Sequence, residues 1–344
     1  MRHAKKEDEM EEILKNGTAI ETLVDQANEI KENSIDYIVP QREHSTTRFK
    51  VDCSRPELLF KPEKGKKLDM GMSEFAFRSL CTNGVPAAYI DKCMMNNRAN
   101  LAEKNMNSWL KDYTSPLFVR TSYGHVRGVL TTKYSAYDAD RMMADVQDIM
   151  GDIEDRYEIK QSLLNEERLH LRFVAKDPLD VEGEDLFPGF TIDSSDVGRS
   201  CLEVNAIIWK KVCTNGLMLP KKFEALLLQR HMGIEFPDLR KEFLDSIDKI
   251  EPLIAKMEES VIETAKKPLV LQFDNSAEQA ASEQKLHREL GLMLPEARRV
   301  LEILKTDTYP ENRWGLINAI TEAAQTYTLE RRIELERAAG KLLV

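Results

Sequence analysis

The chain contains no P-loop, no G-x-G-x-x-G, no G-x-S-x-G and no H-E-x-x-H. Nucleotide-phosphate cradles, dinucleotide sites, serine-hydrolase elbows and zinc-protease helices are therefore unmarked. Five cysteines, at 53, 81, 93, 201 and 213, form no C-x-x-C pair, and an odd, dispersed set fits neither a disulfide framework nor a zinc ribbon. Reduced, mostly buried thiols are the expectation. Cys81 and Cys213 are conceivable nucleophiles with His125, His170 or His231 as base, but no neighbouring sequence marks an activated thiol. An enzyme, a metal and a cofactor are accordingly not expected. No apolar run approaches the roughly 18 to 20 residues that span a bilayer, and Met1-Arg2-His3-Ala4-Lys5-Lys6-Glu7 lacks the apolar core of a signal peptide. The expectation is a cytoplasmic protein with no membrane partner.

What is present is charge. Of 344 residues 42% are hydrophobic and 31% charged, with a net charge of -10 and a pI near 5.3. The molecule as a whole is repelled by nucleic acid and anionic membranes, so binding to either must be local. The length allows two or three compact units.

Patterning divides the chain into a helical N-terminal arm over 1–40, a mostly helical segment over 41–114, an α+β core over 115–232 and a helical region over 233–344. In the core, strands are predicted over 117–122, 126–132, 157–164, 169–174, 190–193 and 201–209, with a helix over 139–150. The chain is read as helical after Leu219-Pro220, with Pro252 bending or breaking a long amphipathic run from Phe236 to Val261. The predicted fold class is α+β, a central, mainly antiparallel sheet with flanking helices and a helical C-terminal part.

The stretch Arg168-Leu169-His170-Leu171-Arg172-Phe173 alternates basic and apolar side chains, as in a strand with one buried and one basic face. Arg120, Arg127 and Lys133 lie on neighbouring strands and turns without an acid among them, and Lys210, Lys211, Lys221 and Lys222 surround a Cys213-Thr214-Asn215-Gly216 word. Tyr123, His125, Tyr134, Tyr137 and Trp209 offer rings near these cations; core burial is the alternative for Tyr134 and Trp209, whereas Tyr123 and His125 flank Gly124 in a predicted turn. Cations with interleaved rings are what sequence-tolerant binding of single strands requires. The candidate nucleic-acid-binding residues are thus Arg120, Tyr123, His125, Arg127, Lys133, Arg168, His170, Arg172, Lys210, Lys211, Lys221 and Lys222. Asn215-Gly216 is read as ending a strand and opening a helix, where backbone N–H groups could meet a phosphate.

Two words recur, Cys81-Thr82-Asn83-Gly84-Val85 and Cys213-Thr214-Asn215-Gly216-Leu217. With Val85-Pro86-Ala87-Ala88-Tyr89, Asn105 to Leu110, Gly128 to Tyr134 and Asn312 to Glu322, the chain resembles the phage/plasmid-like family of unknown function numbered 932. That resemblance implies a setting in mobile elements and no residue role. The leading expectation is a non-enzymatic DNA-metabolism protein that binds single-stranded nucleic acid, aids annealing or recombination, and works as a homo-oligomer. The alternative is an acidic interaction protein that neutralises a host defence or regulatory factor, motivated by the acidic run Asp177 to Asp185.

Overall fold

A computed structural model describes residues 15–343 except 53–54, 83–84, 182–183, 211–214, 219–225 and 307. In chain order the elements are β1 (Lys15–Asn16), α1 (Ile20–Glu32), β2 (Ser34–Val39), β3 (Arg48–Asp52), β4 (Arg55–Phe60), β5 (Leu68–Gly71), α2 (Glu74–Thr82), α3 (Ala87–Met95), α4 (Ala99–Asp112), β6 (Leu117–Ser122) and β7 (His125–Thr131). There follow α5 (Ala139–Ile153), β8 (Tyr157–Leu164), β9 (Leu169–Ala175), β10 (Leu179–Val181), β11 (Glu184–Ser194), β12 (Leu202–Lys210), β13 (Asn215–Met218) and β14 (Leu227–Gln229). The chain then runs through α6 (Phe236–Ile247), α7 (Ile250–Ala265), α8 (Ser276–Leu290), α9 (Leu294–Leu304), α10 (Arg313–Ala324) and α11 (Leu329–Gly340). The fold is α+β, as expected.

The main sheet has the order β1-β8-β9-β11-β12-β13, with β10 added to β11 and β14 to β12. Among the described residues its strands pair antiparallel, with Phe173 opposite Phe190 and His170 opposite Asp193. Period-2 alternation then sorts the side chains. Leu169, Leu171, Phe173, Phe190, Ile192, Leu202 and Val204 face a helical layer and share a core with Leu23 of α1, Met142 of α5 and Phe243 of α6. His170, Arg172, Thr191, Asp193, Asn205, Ile207 and Trp209 fall on the opposite face by the same alternation.

Sheet order explains how the C-terminal helices matter to both faces. Met257 and Val261 of α7 pack with Leu186, Ala206 and Ile208 on the layer side of the sheet. Helices α10 and α11 contact β13 at its edge, and Ile333 of α11 packs with Leu163, Val174, Ile207 and Trp209 on the other side. The helical C-terminal region thus wraps the sheet edge.

Local chemistry sets several boundaries. The predicted long helix divides between α6 and α7 at residues 248–249, which puts Pro252 in the first turn of α7, where a missing N–H costs nothing. Asn275 caps α8 by accepting from the N–H groups of Ala277 and Glu278, and Gly291 ends it in the left-handed region. Asn312 caps α10 through the Gly315 N–H.

Sequence reading and structure differ at four points. The segment read as mostly helical also holds the β3-β4-β5 sheet. β14 interrupts the region read as helical after Pro220, and Asn215-Gly216 begins β13 instead of opening a helix. The acidic run from Asp177 to Asp185 contains the strand pair β10–β11.

Candidate functional site

The alternation around β9 is real, but its polar side does not meet solvent. Arg168, His170 and Arg172 are buried, as are Arg120 and Arg127 on β6 and β7. The expectation of an exposed basic face is therefore corrected for these five residues. The physical reason is that each lies beside a carboxylate brought from elsewhere in the chain, and burying an unpaired guanidinium would cost several kcal/mol.

Two nodes result. In the first, Arg172 Nη2 donates to Glu336 Oε2 at 2.8 Å across 164 residues of sequence, and Arg332 Nε donates to Glu336 Oε1 at 2.9 Å. The Arg172 guanidinium also lies 5.3 Å from the centre of the Trp209 ring, so Trp209 serves the core. Arg168 Nη2 donates to Asp193 Oδ1 at 2.9 Å. His170 Nδ1 stands 2.9 Å from Asp193 Oδ2 without hydrogen-bond geometry. Burial opposes ionisation of Asp193, but His170 and Arg168 outweigh it and hold the carboxyl below the ordinary range.

In the second node Arg120 makes paired bonds to Asp36 and to Asp138, at 2.7–3.0 Å. Arg127 Nη1 reaches Asp196 Oδ2 at 3.1 Å and the Glu166 carbonyl at 2.6 Å. Asp196 also accepts the Ala139 N–H at 3.0 Å, joining α5 to the loop between β11 and β12. Burial, then the charge of Asp138, push the Asp196 carboxyl up to about 6 against the pull of Arg127 and Arg120.

A stability profile follows from that shift. Between about pH 4 and pH 6 the folded protein holds a proton on Asp196 that the unfolded chain has released, so this group's contribution is present below pH 4 and is lost as pH rises to 6. Unfolding free energies from urea titrations over this window should fall by up to roughly 3 kcal/mol more in the natural protein than in Asp196→Asn. Parallel profiles would contradict the assignment.

The remaining candidates are scattered. Tyr123 is 48% exposed and holds φ 47° beside Gly124. His125 Nε2 lies 2.8 Å from the Glu166 carboxylate, which raises the imidazole above its ordinary pKa against the effect of burial. Lys133 is exposed. Tyr137 is buried between Phe236 and Phe243, and Tyr134 stacks on His231 with its hydroxyl donating to the Ser195 carbonyl. Lys210 ends β12, but its side chain, with Lys211, Lys221 and Lys222, lies outside the described residues. Burial pushes the Cys81 thiol up to about 12, an unreactive thiol at neutral pH. Among the described residues no group of three or more His, Cys, Asp or Glu could hold a metal ion, and no helix is long and apolar enough to cross a membrane.

Patterning marks the acidic end of α5 at Asp145, Asp148 and Asp152 but does not join it to the acidic faces of α1 and α6. Helices α1 and α5 are in contact, and α6 joins α5 through Arg240 and Asp145. Together these three helices carry four basic and eleven acidic residues, a net of -7 against -10 for the whole chain. Glu21, Asp25, Glu29 and Glu32 are exposed on one side of α1, and Asp148, Asp152, Asp238, Glu242 and Asp245 are exposed on α5 and α6. Lys31 and Arg240 are already bound to Asp138 and Asp145. A count restricted to exposed helical positions would have found the patch.

The chain belongs to the DUF932 family, a domain of unknown function whose model matches residues 126–342. No curated protein and no solved structure matches the chain. The matched span includes both nodes except Arg120 and Asp36. Of the words that carry the resemblance upstream of it, Asn107 closes the edge of β3 by accepting the Phe49 N–H and donating to its carbonyl, and Asn105 donates to the Tyr89 hydroxyl.

Proposed function

We propose that the protein is a non-enzymatic interaction protein whose acidic helical layer engages a basic partner protein. The observation that carries this reading is the segregation of charge: the sheet's arginines are buried against carboxylates, while the outer surface of α1, α5 and α6 keeps its carboxylates in solvent. Such a field steers a partner of opposite sign and repels nucleic acid. In the mobile-element setting that the resemblance implies, neutralising a host defence or regulatory factor is the corresponding task.

A second reading, binding of single-stranded nucleic acid in annealing or recombination by a homo-oligomer, draws on the exposed Tyr123 ring and Lys133. One experiment separates the two. The immobilised protein and a Glu21→Lys, Asp25→Lys, Glu29→Lys variant are challenged with host lysate and with a fluorescent single-stranded oligonucleotide across a salt series. The expected result is one stoichiometric basic protein retained by the natural chain and lost from the variant. Retention of the oligonucleotide with no captured protein would overturn the first reading in favour of the second.

A further inference from the structure

Arg168 and Arg199 converge on one carboxylate. Arg199 Nε and Nη2 lie 3.0 and 2.5 Å from Glu330 Oε1, and Arg168 Nη1 lies 3.8 Å from the same atom. Both guanidiniums are held from behind. Arg199 Nη1 donates to Glu167 Oε2 at 2.8 Å, Glu167 in turn accepts from Ser73 Oγ at 2.6 Å, and Asp193 binds Arg168 at 2.9 Å. The Arg168 side chain is 7% exposed, and its buried Nε has no partner.

Glu330 differs from the other acids in this cluster. Its side chain is 46% exposed, whereas that of Glu336 is fully buried. Glu330 therefore has solvent to move into, whereas Glu336 has none. Without it Arg168 and Arg199 lose the carboxylate they share. The vacated position also adjoins the first turn of the twelve-residue α11, whose positive end favours an anion.

We propose that Arg168 and Arg199 form an oxyanion site for phosphate or a phosphate monoester, which Glu330 fills as an internal surrogate. Two guanidiniums pre-oriented by carboxylates on their far sides present the forked donors that tetrahedral phosphate oxygens accept. The site is independent of the acidic layer. An incoming phosphate displaces the Glu330 carboxylate towards solvent, and Arg172 and Glu336 stay as they are.

The test is calorimetric titration of inorganic phosphate at constant ionic strength into the natural protein, Glu330→Ala, and Glu330→Ala with Arg199→Ala. The expected result is phosphate binding at least tenfold tighter in Glu330→Ala, accompanied by a phosphate-dependent rise in Tm, with both gains lost in the double variant. If Glu330→Ala fails to fold, Glu330→Gln carries the same comparison. A 5′-phosphorylated oligonucleotide and its hydroxyl-ended counterpart distinguish sources: preference for the phosphorylated end assigns a nucleic-acid terminus, and equal binding of both assigns a small phosphate. Equal phosphate affinity in natural protein and Glu330→Ala, or a gain that survives Arg199→Ala, would overturn the site.

Discussion

Glu336→Ala is expected to cost about 3–5 kcal/mol of folding stability, because it leaves Arg172 and Arg332 buried without the carboxylate between them. Burial already lowers the Arg332 pKa, an effect that Glu336 partly offsets and the charge of Arg172 deepens. Chemical denaturation of the purified variant would show the loss as a lowered midpoint. Replacing the whole triad, Arg172→Met with Arg332→Leu and Glu336→Leu, should recover most of it, since removing a buried charge set together with its desolvation penalty is often neutral or better. A loss below about 1 kcal/mol in Glu336→Ala would mean that solvent reaches the pair and that α11 does not seal this face.

Gly189→Ala is expected to be comparably severe. A Cβ at this position would fall on the carbonyl oxygen of Phe173 in the neighbouring strand, an atom fixed by the ladder between β9 and β11. Overpacking against backbone in a central strand should cost roughly 3 kcal/mol or more. Gly315→Ala meets the Pro310 carbonyl in the same way at the start of α10. Gly151, on α5 with nothing within 4 Å of its added Cβ, is the control; alanine there should stabilise by roughly 0.5–1 kcal/mol. Thermal melts of the three variants test the contrast, and a Gly189→Ala protein that melts with the natural one would show that the strands are not this close.

The architecture was legible where one periodicity ran uninterrupted. The predicted strands over 117–122 and 157–164 coincide with β6 and β8, because apolar alternation and turn residues agree there. The β3-β4-β5 sheet was not read, because Arg48-Phe49-Lys50-Val51-Asp52 alternates polar and apolar side chains over only five residues and Arg55-Pro56-Glu57-Leu58-Leu59-Phe60 does not sustain the period.

At the candidate site the alternation of Arg168, His170 and Arg172 correctly located a polar face but not what covers it. The covering acids are Asp193 and Glu336, 25 and 164 residues from their partners. Local pattern gives the sign of a side chain, and only tertiary packing tells whether the charge is spent inside the protein. The acidic layer is the converse case. Its carboxylates sit at ordinary solvated helix positions and become a common field only when α1, α5 and α6 are brought together.

Because Glu336 lies 164 residues after Arg172, the order of synthesis has a consequence. At roughly 5–20 residues per second a ribosome completes β9 many seconds before it makes α11. During that interval the sheet's polar face lacks its neutralising carboxylate, and the closing contact is among the longest-range in the chain, which slows folding. The nascent sheet thus carries Arg172 without its carboxylate until the last helix arrives and closes that face.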